Sequence, residues 1–102
     1  MIEPEACRNM QQLRAQIDAL DAEIVAMLAR RAAYVDRAAE LKPGEGLPAR
    51  IAARIDEVIR HVRGEAQARG IDADLVETLW RDLIEWSIHR EERAMAQVEE
   101  NR

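Results

Sequence analysis

Apolar side chains recur along the first half of the chain at alternating intervals of four and three residues. The series begins with Leu13, Ile17 and Leu20 and continues to Leu41. This alternation is typical of a coiled-coil seam, because it brings every apolar side chain to one face of a helix. The pattern therefore predicts one helix from about residue 10 to residue 41, roughly 48 Å long.

Polar residues and a glycine mark where the helices begin and end. Asn9, with Gln12 three residues later, has the form of a capping box at the start of the first helix. Gly70 suits the position just after a helix, and Asp72 can cap the helix that follows. We therefore predict a second helix that carries the apolar stripe Ile51–Ala66 and ends at Gly70, and a third that begins after Asp72.

The length of the first helix predicts a homodimer. The second and third helices, roughly 20 and 25 residues long, are too short to cover an amphipathic rod of about 48 Å. A second copy of the chain would cover the remainder, and a chain of 102 residues gains much from such extra burial. The expected fold is all-α, with one domain over residues 1–102 and three helices per chain in an intertwined homodimer.

Composition and charge exclude several classes of partner. The net charge of −5 and the pI of about 5.1 argue against nucleic acid as a partner. The same acidic charge argues against a membrane surface as partner, and no apolar run reaches 18 residues, so no membrane span is expected. The lone Cys7 cannot form an internal disulfide and the N-terminus lacks an apolar leader, which indicates a cytoplasmic protein. His61 and His89 lack a second ligand at a metal-binding spacing, so no metal is expected.

Charged and polar residues interrupt the apolar stripes at a few positions. Arg31 lies inside the seam of the first helix, and Lys42 follows it three helical turns later. Ser87 and Glu91 lie one turn apart on the apolar face of the third helix. A buried charge is costly unless it is paired or liganded, so these positions indicate either internal ion pairs or a site for a small anion.

A purely structural interpretation is open for each of these residues. Arg31 can form a buried ion pair with Glu91, as helical bundles often do. Arg14 can bridge to acidic residues later in its own helix, and Lys42 can complement the helix dipole. These patterns alone therefore leave both an ion-pair role and a ligand-binding role open.

Longer segments resemble a known family. Leu13–Asp21 reads L-R-A-Q-I-D-A-L-D and resembles the L-R-x-x-I-D-x-L-D opening of the all-helical chorismate mutases. Met27–Arg31 resembles their L-L-x-x-R segment, Lys42 falls at their loop-entry lysine, and Asp72–Ser87 resembles their third helix. Pro4–Cys7 and the loop after Lys42 look closest to the branch that contains isochorismate pyruvate lyases. The resemblance covers nearly the whole chain.

The resemblance implies a role for each of five residues. Arg14 and Arg31 would hold the two carboxylates of a small dicarboxylate, chorismate or isochorismate. The two arginines are roughly 25 Å apart along one helix, so Arg14 should reach the site from the partner chain. Lys42 would donate to the ether oxygen of the substrate, and Ser87 would bind a carboxylate. Glu91 replaces a glutamine of many relatives and must be protonated to donate a hydrogen bond.

One departure from the family pattern affects the expected activity. Relatives carry an acid, an arginine and a glutamate near the start of the second helix, whereas Arg50–Ile55 contains no acid. Arg54 is the candidate cation there. The resemblance implies chorismate mutase activity without metal or cofactor, and loss of the acid favours isochorismate pyruvate lyase activity as an alternative. A non-catalytic helical dimerisation module is the third hypothesis.

Overall fold

The structure is a computed structural model that describes residues 1–101, and its regular elements are all helical. Three α-helices follow one another, and two short 3₁₀ turns precede and follow the first: α1 is Met10–Leu41, α2 is Ala52–Ala68, α3 is Ala73–Glu100, and the turns are Pro4–Ala6 and Pro43–Glu45. The predicted all-α class and the predicted bounds of the long first helix are confirmed.

The start of α1 carries the predicted cap in a slightly altered form. The backbone N–H of Gln12 donates to Asn9 Oδ1 at 2.8 Å, as a capping box requires. The side-chain oxygen of Gln12 accepts from the N–H of Arg8 at 2.9 Å, one residue before the cap. The box therefore satisfies one donor of the helix and one donor of the segment that enters it.

The turn between α2 and α3 matches the signals in the sequence. Gly70 has a φ of 71°, which is the left-handed conformation that glycine adopts without strain. The N–H of Ile71 donates to the carbonyl of Ala66 at 3.0 Å, the long bond of a Schellman motif. Asp72 then caps α3 by accepting from the N–H of Asp74 at 2.9 Å. The two helices are thus connected by a tight, fully specified turn.

The chain divides into two compact units, and the residues of α1 are shared out between them. The first unit is Met1–Ala33 and the second begins at Tyr34. In the first unit the N-terminal segment folds back on α1, where the N–H of Ile2 donates to Gln16 Oε1 at 3.0 Å. The residues of α1 inside this unit include none that is buried. The prediction of a single domain over residues 1–102 stays a prediction.

The second unit contains the hydrophobic core, between α2 and α3. Its buried members are Ala49, Ile59, Ile84 and Ile88, with Ile55, Val58, Trp80 and Met95 packed against them. Arg63 of α2 reinforces the contact by pairing with Asp74 and Glu77 of α3 at 3.0 and 2.9 Å. Because Ala49 precedes α2, the end of the connecting loop is itself part of the core.

Asp36 and Arg90 join the end of α1 to α3. The guanidinium of Arg90 donates from Nε to Oδ1 at 2.6 Å and from Nη2 to Oδ2 at 3.1 Å, and it lies 5.2 Å from the ring centre of Trp86. These hydrogen bonds lower the pKa of Asp36 below its ordinary value of 3.8. A lowered carboxyl pKa adds stability that is present above the ordinary value and lost as pH falls through the folded value.

We therefore expect Asp36→Asn to weaken the acid dependence of stability. Wild-type stability should fall as the pH drops below about 4, whereas part of that fall should be missing in the variant. Urea unfolding midpoints measured between pH 6 and pH 3 would show the difference. Asp56→Asn, at an exposed position of α2, is the matched control, and an equal change in both variants would contradict the prediction.

Candidate active site

Lys42 follows the last residue of α1 and organises the loop after it. Its N–H donates to the carbonyl of Ala38 at 2.9 Å, which continues the helical pattern by one residue. Its own carbonyl accepts from the N–H of Leu47 at 2.9 Å, so the loop turns back over it. Gly46 makes this reversal possible with a φ of 70°. The predicted loop is therefore a closed turn built around Lys42.

The ammonium of Lys42 is held between a loop carbonyl and a carboxylate. Nζ donates to the carbonyl oxygen of Ala49 at 2.8 Å and lies 2.7 Å from Oε1 of Glu91. The side chains of Lys42 and Glu91 are 18% and 8% exposed. An ammonium has three N–H donors and only the contact with Ala49 is a hydrogen bond, so the group keeps donors for a ligand. The pair therefore joins the end of α1 to α3 through buried charges.

Glu91 and Ser87 occupy the buried face of α3, as the interrupted stripe predicted. Their exposed fractions are 6% and 5%, similar to that of Ile88 between them. The Ser87 hydroxyl donates to the carbonyl of Leu83 at 2.8 Å, one turn earlier. Among residues 1–101, Glu91 Oε1 accepts no aligned hydrogen bond, because Lys42 approaches it as an ion pair without directing an N–H at it. This oxygen can therefore accept a better-directed donor.

Arg54 lies on the outer surface of α2. Its guanidinium pairs with Glu57 three residues later, its side chain is 60% exposed, and its hydrogen bond lowers the pKa of Glu57. The surface position leaves Arg54 able to turn toward a ligand, since an exposed pair of this kind is weak. Its predicted role as the cation of the second helix stays a prediction.

Arg14 and Arg31 belong to the Met1–Ala33 unit, which is described by itself. Both lie on α1, with Arg14 exposed and Arg31 half-buried. Seventeen residues of continuous helix separate them, about 25 Å along the axis. One compact ligand therefore cannot contact both arginines of one α1, and their predicted roles toward the carboxylates stay predictions.

Two features near Lys42 were not foreseen from the sequence. The first is the backbone carbonyl of Ala49. Every residue has a backbone carbonyl, so the sequence cannot show which one will contact Lys42. The second is a fork between Arg50 and Glu85, with two hydrogen bonds of 2.7 Å that lower the pKa of Glu85. These partners are 35 residues apart, and only the packing of the loop against α3 brings them together.

Neither a metal-binding cluster nor a membrane-spanning helix is found in the part of the chain that the structure describes. Residues 1–101 include no group of three or more His, Cys, Asp or Glu side chains placed to hold a metal ion. None of the helices within this range has the length and apolarity needed to cross a membrane. The Lys42–Glu91 pair with Ser87 is thus the candidate site that the second unit provides.

Comparison with known proteins connects this geometry to one enzyme family. The profile of the family described as chorismate mutase type II matches residues 13–92. The matched segment begins just before Arg14 and ends just after Glu91, so it includes every candidate site residue named above.

Three individual proteins are similar to the chain. It is 38% identical over 88 residues to the isochorismate pyruvate lyase of Pseudomonas aeruginosa, covering 83% of both chains. It is 33% identical over 82 residues to the T-protein of Haemophilus influenzae, and 35% identical over 72 residues to that of Enterobacter agglomerans. These matches cover 80% and 71% of this chain but only 22% and 19% of the T-proteins.

Proposed function

The chain belongs to the chorismate mutase type II family and is an enzyme of the chorismate mutase type, and from this premise we propose that it converts chorismate to prephenate beside Lys42 and Glu91. The reaction is a pericyclic rearrangement in which the ether bond breaks as a new carbon–carbon bond forms. Such a step needs a bound, compact conformer and donors at the ether oxygen, where negative charge grows.

The observation that carries this proposal is the placement of the Lys42 ammonium. Its hydrogen bond to Ala49 and its ion pair with Glu91 fix the position of Nζ before any ligand arrives. A donor positioned in advance within a largely buried environment stabilises developing charge without first having to reorganise. We assign an N–H that is not bonded to Ala49 to the ether oxygen, and the Ser87 hydroxyl, turned away from Leu83, to a substrate carboxylate.

The remaining part of the proposed site comes from a second copy of the chain. Large apolar side chains between residues 17 and 28 of α1 are all at least 40% exposed: Ile17, Leu20, Ile24, Val25, Met27 and Leu28. An apolar stripe of this size on a soluble helix favours coverage by a partner. In the proposed homodimer, Arg31 of one chain and Arg14 of the other bind the two carboxylates of the substrate.

Glu91 is the second donor that we assign to the ether oxygen. A protonated Glu91 can donate to this oxygen, whereas the carboxylate form cannot, because it only accepts and pairs with the Lys42 ammonium. In Glu91→Gln the side-chain amide always has an N–H to donate. We therefore expect kcat of Glu91→Gln, measured by steady-state kinetics, to be at least that of the wild type.

The matched control is Glu92→Gln, which changes the neighbouring, exposed carboxylate of the same helix. It should keep the wild-type kcat. If Glu91→Gln loses turnover while Glu92→Gln keeps it, position 91 does not act as a donor to the ether oxygen.

Isochorismate pyruvate lyase activity is the second candidate, and two observations favour it. The similarity to the lyase of Pseudomonas aeruginosa covers 83% of both chains. The first turn of α2 also lacks an acid. A lyase would use the same arginines and Lys42 to hold isochorismate while it is split to salicylate and pyruvate.

A paired assay tests both candidates. Purified protein is incubated separately with chorismate and isochorismate, and the products are identified by chromatography. Prephenate from chorismate supports the mutase proposal, whereas salicylate and pyruvate with only slow prephenate formation move the main function to the lyase. If neither substrate gives a product, both are refuted and the non-catalytic helical module is favoured.

A further inference from the structure

The loop after Lys42 ends in a fork that ties it to α3. Arg50 donates from Nη1 and Nη2 to the two carboxylate oxygens of Glu85, each at 2.7 Å. This parallel pairing uses the planar guanidinium fully and fixes the relative orientation of the two groups. His89, at 3.9 Å, is a more distant contact of the same carboxylate. Arg50, the residue just before the N-cap of α2, is thereby held at a defined position on α3.

The fork holds Arg50, whose neighbour Ala49 contacts Lys42 in the candidate site. Ala49, which directly precedes Arg50, is 8% exposed and supplies the carbonyl that accepts from Lys42 Nζ at 2.8 Å. Any displacement of Arg50 along the chain moves that carbonyl. The other contact of Nζ, Glu91, lies on α3 itself, six residues after Glu85. Both contacts of the ammonium are therefore fixed to α3, one directly and one through the fork.

We propose that the Arg50–Glu85 fork is a positioning pair that sets the position of the Lys42 ammonium. The inference rests on the proposed function, in which that ammonium donates to the ether oxygen. Arg50 and Glu85 do not touch the substrate; they hold the Ala49 carbonyl that positions Lys42. Both side chains are about half exposed, 47% and 48%, so a purely stabilising role would be small.

The first test separates positioning from stability by kinetics. Glu85→Gln keeps the size of the side chain but removes the charge that forms the fork. We expect kcat to fall about fivefold, the order of an exposed ion pair, with a much smaller change in KM and in the thermal unfolding midpoint. The double variant Arg50→Glu with Glu85→Arg re-forms the pair with its charges exchanged and should recover kcat. Arg69→Ala breaks an exposed pair within α2 that is remote from the loop, and is the control.

The second test measures how firmly the loop is held, independently of turnover. The N–H of Leu47 is hydrogen-bonded to the Lys42 carbonyl, and that of Gly46 to the carbonyl of Pro43. Hydrogen–deuterium exchange of residues 45–49 should speed up in Glu85→Gln and return to the wild-type rate in the exchanged pair. Arg69→Ala should leave this exchange unchanged.

The two tests fail in distinguishable ways. A wild-type protein that turns over neither chorismate nor isochorismate refutes the proposed function, while loop exchange still reports whether the fork fixes the Ala49 carbonyl. Unchanged exchange or unchanged kcat in Glu85→Gln overturns the positioning role. Parallel losses of kcat and unfolding midpoint, with no recovery in the exchanged pair, overturn it as well, because they indicate a stabilising contact only.

Discussion

Replacing Lys42 with methionine lowers kcat by about a hundred- to a thousandfold, the usual cost of removing one donor to a developing negative charge. Methionine preserves much of the apolar stem of lysine but has no N–H to donate. In the proposed site the two arginines still bind the substrate carboxylates, so we expect KM to change far less than kcat. Steady-state kinetics on whichever substrate the wild type converts would measure both parameters.

The same substitution leaves Glu91 buried without its cation, which can destabilise the protein by about 3–5 kcal/mol. Lys42→Met combined with Glu91→Gln removes the orphaned charge and keeps the variant folded for assay. We expect this double variant to recover stability but not turnover. Arg37→Met, which breaks an exposed pair with Glu40 on α1, should leave kcat unchanged. Wild-type kcat in the folded double variant would exclude Lys42 as the donor.

Mixing two inactive variants restores activity if Arg14 acts across chains. Arg14→Ala and Arg31→Ala should each lose most turnover as homodimers, because every site lacks one carboxylate partner. A hybrid dimer has one site with both arginines intact and one with neither. Random reassociation makes half of the dimers hybrid, so about a quarter of wild-type activity should return in a two-fold symmetric assembly. The measurement is turnover after the two variants are unfolded together and refolded.

The control for this experiment is to unfold and refold each variant alone, which should restore no turnover. If both arginines serve one site from the same chain, no hybrid contains a complete site and the mixture stays inactive. Arg37→Ala refolded with either variant supplies intact Arg14 and Arg31 and should restore activity in proportion to the intact sites. That mixture therefore shows that refolding itself preserves function.

Local signals in the sequence were sufficient to predict the helices. The four-three stripe of α1 and the Asn9 cap placed its start and its end at Leu41, because both act within one or two helical turns. Gly70 and Asp72 located the turn between α2 and α3 for the same reason. The stripe also indicated that more apolar surface lies on α1 than two shorter helices can cover.

The candidate site was predictable only where a polar or charged residue interrupts the apolar stripe of a helix. Glu91 and Ser87 stood out because polar residues interrupted an apolar stripe, and both are buried. The pairing of Glu91 with Lys42 was not derivable, since it depends on how the loop returns to α3. The Arg50–Glu85 fork was not derivable for the same reason. The residues around Arg50 resemble any exposed helix start, and its partner lies 35 residues away.

The exposed apolar face of α1 has a consequence for how the protein reaches its working state. A helix segment that buries none of its own side chains gains little from folding alone, because most helical stability comes from packing. If a second copy covers this face, helix formation and association become one equilibrium governed by mass action. The lifetime of a complete site would then depend on how much of the protein a cell maintains, as well as on the residues that line it.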